Sequence, residues 1–136
     1  MFAGAGGLGI EALSRGAGFC LFVEIDSQAV AVLRKNLVGL FPDQQYEIKR
    51  EDFRKTLERV FAAGRKFDVV LADPPYRQEF LDDFSVVWLE YPVLQPDGFL
   101  ALEHSKKQTF PLPDNLLLWE SRRYGDTVIS YCRPKV

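Results

Sequence analysis

A chain of 136 residues, 47% hydrophobic and 26% charged, has room for one hydrophobic core and the composition of a globular protein. Its net charge of −2 excludes a domain that grips nucleic acid by bulk positive charge. Its longest apolar runs, CLFV and VVLA, are far too short to cross a bilayer. The glycine-rich start MFAGAGGLG leads into a predicted helix from Leu8 to Arg15, stopped by GAG at 16–18. FCLFVEI, Phe19 to Ile25, is a near-continuous apolar run ending in an acid, the pattern of a strand buried on both faces. Asp26 and Ser27 can cap a helix whose apolar positions Val30, Leu33 and Leu37 recur at helical spacing as far as Gly39. YEIKRED is a weaker strand, and Phe53, Leu57, Val60 and Phe61 mark the next helical face, closed by Gly64.

FDVVLA, Phe67 to Ala72, is a second fully apolar strand that runs straight into DPPY. A helix from Gln78 to Glu90 follows, with Phe80, Phe84 and Val87 on one side. PDGFLALEH turns at Asp97–Gly98 into another buried strand, and LLLWES and DTVISYC form an antiparallel pair around Tyr124–Gly125. Strands alternating with helices predict one α/β domain over 1–136, with a mostly parallel sheet, a closing antiparallel hairpin and ligands at the carboxyl ends of the strands.

Gly4, Gly6 and Gly9 satisfy G-x-G-x-x-G, and Glu24 ends the next strand 20 residues after Gly4. Glycines let the backbone approach a ligand, and the acid accepts hydrogen bonds from ribose hydroxyls. NAD, FAD and S-adenosylmethionine sites all use this pattern. The chain is too short for a second nucleotide-binding half plus a catalytic domain, which disfavours NAD. In DPPY, Asp73 to Tyr76, two prolines remove two amide donors and hold the backbone carbonyls out of any helix. Acceptors from Asp73, Pro74 and Pro75 beside the flat face of Tyr76 suit an exocyclic amino group on a base. They also stabilise the positive charge that grows on the nitrogen as it attacks a methyl sulfonium.

FAGAGGLGIEALSRGA, FVEID, DPPY and LEHS together resemble the RsmD-type 16S rRNA guanine-N2 methyltransferases, a family of class I S-adenosylmethionine-dependent enzymes. The resemblance runs from Phe2 to about Ser105 and weakens in the tail, where YGDTVISYC still fits a closing hairpin. It implies a Rossmann-like class I methyltransferase fold with S-adenosyl-L-methionine as cofactor. Phe2, Ala3, Gly4 and Gly6 would line the methionine and ribose portions, and Glu24 would hold the ribose hydroxyls. Ile25 would lie along the adenine, while Asp52 and Phe53 would close the adenine pocket. Asp73, which would also belong to the cofactor-binding set, and the Pro74 carbonyl would orient the guanine N2, with Tyr76 stacking on the base. The implied partner is small-subunit rRNA or a ribosomal assembly intermediate, met by a cytoplasmic monomer without metal or membrane. The alternatives are an amino-methylating enzyme acting on adenine in DNA or glutamine in a protein, and a non-catalytic cofactor-binding module.

The sequence departs from the family at its start, where the family carries a first, central strand before the glycine turn. Losing four or five large buried side chains removes on the order of 6–15 kcal/mol, as much as a whole domain's stability. The expectation is therefore an N-terminally incomplete domain, or a start placed at an internal methionine. The remaining residues have blander readings. Cys20 and Cys132 are expected as buried free thiols, His104 as structural or as packing on the substrate side, Trp88 and Trp119 as core, and Asp82 and Asp83 as a solvated helix face.

Overall fold

The computed structural model describes residues 1–135. The chain divides into two compact units, the first covering Met1–Thr56 and the second beginning at Leu57.

In the first unit, α1 (Gly7–Ser14), β1 (Cys20–Val23), α2 (Ser27–Leu37), a single 3-10 turn (Asp43–Gln45) and β2 (Tyr46–Lys49) follow in order. β1 and β2 pair in parallel, Cys20 opposite Tyr46 and Phe22 opposite Ile48. Leu13, Phe22, Leu33 and Leu37 form a buried cluster, ringed by Ala3, Ile10, Cys20, Phe41, Tyr46 and Ile48. Two glycines set how closely these elements approach. Gly6 begins α1 at φ 93, and a Cβ there would come within 2.3 Å of Leu33 Cδ1. A Cβ on Gly9 would come within 2.3 Å of Phe22 Cε1, so the first turn of α1 can lie against β1 only without a side chain. Asp26 caps α2 by accepting from the Gln28 amide at 3.0 Å, as its sequence position predicts.

α3 (Phe53–Ala62) carries the boundary between the units. Phe53, Leu57 and Val60 are buried on it as its periodicity predicts, whereas Phe61 is exposed. The second unit continues with β3 (Phe67–Ala72), α4 (Gln78–Glu90), β4 (Leu94–Ser105), β5 (Leu116–Tyr124) and β6 (Thr127–Pro134). The sheet order is β3-β4-β6-β5, with β3 parallel to β4 through the α4 crossover and both pairings of β6 antiparallel. Leu81, Phe84 and Trp88 of α4 are fully buried, as are Leu100, Leu102, Leu116 and Cys132 of the strands.

The six described strands form a two-stranded and a four-stranded sheet, and no described strand pairs with both β1 and β3. The β1–β2 and β3–β4 pairings are parallel, and β5 and β6 form the closing antiparallel hairpin that the sequence predicts. Several finer expectations are corrected. β3 is outermost in its sheet, which leaves Val69 43% exposed despite its apolar run. Asp97–Gly98 does not turn before β4 but lies within it, where the β3·β4 register shifts. The buried stripe of α4 is Leu81, Phe84, Ser85 and Trp88, displaced from the expected Phe80 and Val87, which are half-buried. Trp119 is exposed at a register shift of β5, where it meets Phe99 and Tyr131 edge-on or tilted at 5.7 Å and carries the Arg133 guanidinium over its face. Of the other blander readings, Trp88 is buried, Asp82 and Asp83 are exposed, and both cysteines are free thiols that burial pushes up to about 11, Cys132 fully buried but Cys20 only half-buried.

Candidate functional site

In the first unit the glycine turn and the end of β1 meet at one carboxylate. Gly4 N–H donates to Glu24 Oε1 at 2.8 Å, and Asp26 N–H donates to Glu24 Oε2 at 2.9 Å. β1 ends just before Glu24, whose own amide bonds the Lys49 carbonyl at 3.1 Å, while Ala3 N–H bonds the Val23 carbonyl at 2.9 Å. The acid is thus fixed at both oxygens by backbone donors, and each oxygen keeps a lone pair for a further donor. Gly4 sits at φ 55 with nothing within 4 Å of where a Cβ would be, so space opens beside the clamp. Ile25, the next residue, is 61% exposed, an apolar side chain held out beside the clamp.

Phe2 adopts φ 58, the left-handed region that bulky residues rarely enter, and its ring packs 5.1 Å from Phe53. Such backbone strain persists where surrounding contacts fix the chain, and here it lies at the mouth of the glycine turn. Asp52 is already engaged: its Oδ1 accepts from the Arg54 amide at 2.9 Å and its Oδ2 pairs with the Arg54 guanidinium at 2.8 Å. Arg54 also lies 4.6 Å over the Phe53 ring. Sequence reasoning missed Asn36, whose side-chain amide donates to the Ala5 carbonyl at 2.9 Å and ties α2 to the glycine turn across 31 residues.

In the second unit Asp73 to Tyr76 leave the end of β3, as the run FDVVLA predicts. Pro74 is buried, and its carbonyl takes no hydrogen bond from the described residues. The Pro75 carbonyl is used locally, accepting from the Arg77 amide at 2.7 Å ahead of α4. Tyr76 is 50% exposed, yet its hydroxyl is tied at two points, donating to Glu103 Oε1 at 3.2 Å and lying 2.9 Å from Thr127 Oγ1. The ring is therefore held in place with much of its surface open. Burial of part of its carboxyl, and then the charge of Glu103, push the Asp73 pKa above its ordinary value.

Glu103 and Thr127 were not singled out for this role, because their contacts with Tyr76 span 27 and 51 residues. The available signal was the alternation of β4, which buries Leu100, Leu102 and His104 and turns Glu103 to the other side. The same alternation separates Glu103 from His104. His104 is buried, with Nδ1 2.9 Å from the Ser105 carbonyl and Nε2 3.0 Å from the Ser130 hydroxyl. The carbonyl requires the proton on Nδ1, so both ring nitrogens are satisfied and the residue is structural. Gln78 was also missed. Its side chain accepts from the Thr109 amide at 3.1 Å and donates to the Thr109 carbonyl at 2.5 Å, fastening the β4–β5 connection to the start of α4. Among the described residues no group of three His, Cys, Asp or Glu could hold a metal ion.

A family model described as conserved hypothetical protein 95 matches residues 1–133, and the chain belongs to that family. A Bacillus subtilis protein named "Putative rRNA methyltransferase YlbH" is 34% identical over 131 residues, 96% of this chain and 71% of the relative. The Haemophilus influenzae "Ribosomal RNA small subunit methyltransferase D" is 32% identical over 134 residues, 96% of this chain and 66% of the relative. A protein of the same name from Buchnera aphidicola is 31% identical, with 89% of this chain and 62% of the relative covered. The chain thus spans roughly two thirds of the length of these relatives, and it is a member of the RsmD-type family that its motifs resemble. The solved structure of a Haemophilus influenzae protein described as a "putative methylase" superposes with a TM-score of 0.82 at 28% identity, covering 98% of this chain and 83% of that one. An Escherichia coli "Putative methyltransferase yhhF" gives 0.79 at 25% identity, covering 98% of this chain and 72% of that one. The fold is that of the Rossmann-like class I methyltransferases.

Proposed function

We propose that the chain carries the methyl-transfer machinery of an S-adenosyl-L-methionine-dependent enzyme acting on the N2 amino group of a guanine in small-subunit rRNA. The observation that carries this reading is the pairing of acceptors with a tethered, open aromatic ring at Asp73–Tyr76. The names of the relatives support the rRNA substrate. The residues of the first unit fit the cofactor: Glu24 has lone pairs left for two ribose hydroxyls, Gly4 leaves open space beside it, and Ile25 offers an exposed apolar face for a purine ring. Asp52, tied to Arg54, caps α3 beside Phe53 and retains acceptor capacity for an adenine amino group.

When bound, the cofactor supplies a methyl group on a sulfonium. Asp73 and the Pro74 carbonyl accept the two N–H bonds of the guanine amine, aligning it and drawing electron density toward nitrogen, while Tyr76 supports the ring. Attack of the amine lone pair on that methyl, with the bond to sulfur leaving as a pair, would build positive charge on the nitrogen, which the Asp73 carboxylate would stabilise. Asp73 then takes the surplus proton, a role suited to a carboxyl with a raised proton affinity. The substrate is rRNA within the small subunit or its assembly intermediate, and the enzyme acts as a monomer in the cytoplasm. No helix among the described residues is long and apolar enough to cross a membrane.

The test is to incubate the full-length protein with labelled S-adenosylmethionine and undermethylated small subunits, then digest the RNA to nucleosides. Label in N2-methylguanosine is the expected result. Label in DNA or protein but not in rRNA overturns the reading.

A further inference from the structure

We propose that Glu103 is the residue that reads the base, accepting the N1–H of guanine beside the reacting amine and so rejecting purines whose N1 is an acceptor. This rests on the reading of Asp73–Tyr76 as a guanine amine site.

Three observations place Glu103 there. The parallel register sets Ala72, the last residue of β3, opposite Leu102 on a strand about 4.8 Å away, so Asp73 leaves β3 beside the point where β4 reaches Glu103. Leu102 and His104 are buried and alternation turns Glu103 to the opposite side, while Asp73 is exposed. The Tyr76 hydroxyl reaches Glu103 Oε1 at 3.2 Å, which puts this carboxylate at the rim of the ring proposed to carry the base.

The hydrogen-bond chain also has a direction. Tyr76 donates to Glu103, so the Tyr76 oxygen accepts from the Thr127 hydroxyl. One Glu103 oxygen is thereby occupied, while Oε2 has no partner among the described residues. The charge of Glu103 is felt at Asp73, whose proton affinity it raises.

Guanine presents N1–H and the N2 amine as adjacent donors, and two neighbouring carboxylates accept both. A purine with a lone pair at N1 would set that lone pair against a carboxylate, a repulsive element of the kind specificity requires. A site built to accept a hydrogen bond discriminates strongly against a ligand that cannot give it.

The test uses the full-length protein and an RNA fragment spanning the mapped target, made with either guanosine or 2,6-diaminopurine riboside at that position. Both bases carry the 2-amino group, but only guanine has N1–H. The wild type should prefer guanine by about 10–100-fold in kcat/KM, the range of one good charge-assisted base contact. Glu103→Gln, whose amide can donate to an N1 lone pair, should reduce that preference to within about threefold of unity. Glu103→Asp should keep a preference for guanine at a lower rate. The preference is read within each variant, so a loss of folded protein scales both rates and leaves it unchanged. Thr127→Val, which loosens the Tyr76 tether, should slow both substrates alike. An undiminished preference in Glu103→Gln overturns the proposal, as does an equal loss of preference in Thr127→Val, which would mean that Glu103 acts only through Tyr76. Failure of the wild type to methylate N2 in either RNA overturns instead the reading on which the proposal rests.

Discussion

The two units build their proposed binding groups by different means. In the first, the functional atoms are mostly backbone, arranged by glycines and by one acid clamped between two amides only two and 20 residues away. In the second, they are side chains of the β3–α4 connection and of two strands, joined by long-range contacts from Tyr76 to Glu103 and to Thr127. The first arrangement makes shape and close packing decisive. The second makes charge decisive, since it gathers carboxylates that oppose each other and a ring that needs a tether.

If the second unit does the chemistry through Asp73, its substitution should separate rate from binding most sharply. Asp73→Ala should reduce single-turnover methyl transfer by about 10²–10³-fold, the usual effect of deleting one preorganised electrostatic partner of a transition state. A loss below about tenfold would show that positioning by Pro74 and Tyr76 carries the rate instead.

The first unit should respond to volume. Gly6→Ala places a methyl group 2.3 Å from Leu33 Cδ1 at a left-handed φ. It should cost about 1–3 kcal/mol in overpacking, with backbone strain added, read as a lowered midpoint in thermal or urea unfolding of the full-length protein. An unchanged midpoint would mean that the α1–α2 approach is looser than the packing implies.

The smallest effect concerns the charge held at Asp73. Its folded-state pKa is raised, so the stability it contributes is fully present below the ordinary aspartate value and is lost as pH rises through the folded value. At neutral pH the ionised carboxylate therefore opposes folding. Asp73→Asn should raise the melting temperature slightly at pH 7, and the gain should vanish below the unfolded aspartate pKa of 3.8. A gain that persists there would point to packing and not to charge. Such a gain at neutral pH, together with loss of transfer, is the behaviour of a site that gives up stability for function.

The contrast between the units also explains what the sequence made legible. Gly6 and Gly9 announce close approach because a missing side chain is visible in the sequence, and Asp26 announces a cap because its partner lies two residues on. Glu24 was readable from its place at a strand end, and Asp73–Tyr76 from two prolines after an apolar run. Asn36, Glu103 and Thr127 were not readable in their roles, since each acts on an atom 27 to 51 residues away and pairing register decides which atoms meet. Trp119 misled for a related reason. Its apolarity suggested core, but the register shift in β5 leaves it outside, covered only by Phe99, Tyr131 and Arg133.

The central claim is that the first unit holds the cofactor while Asp73 serves the transfer step. Calorimetric titration of S-adenosylhomocysteine into Glu24→Ala and Asp73→Ala proteins, side by side with wild type, tests it most directly. Glu24→Ala removes the acceptor for the ribose hydroxyls and leaves two backbone donors unpaired, so affinity should fall by about 10–100-fold, while Asp73→Ala should bind within about threefold of wild type. Unchanged affinity in Glu24→Ala, or an equal loss in both variants, would contradict the account.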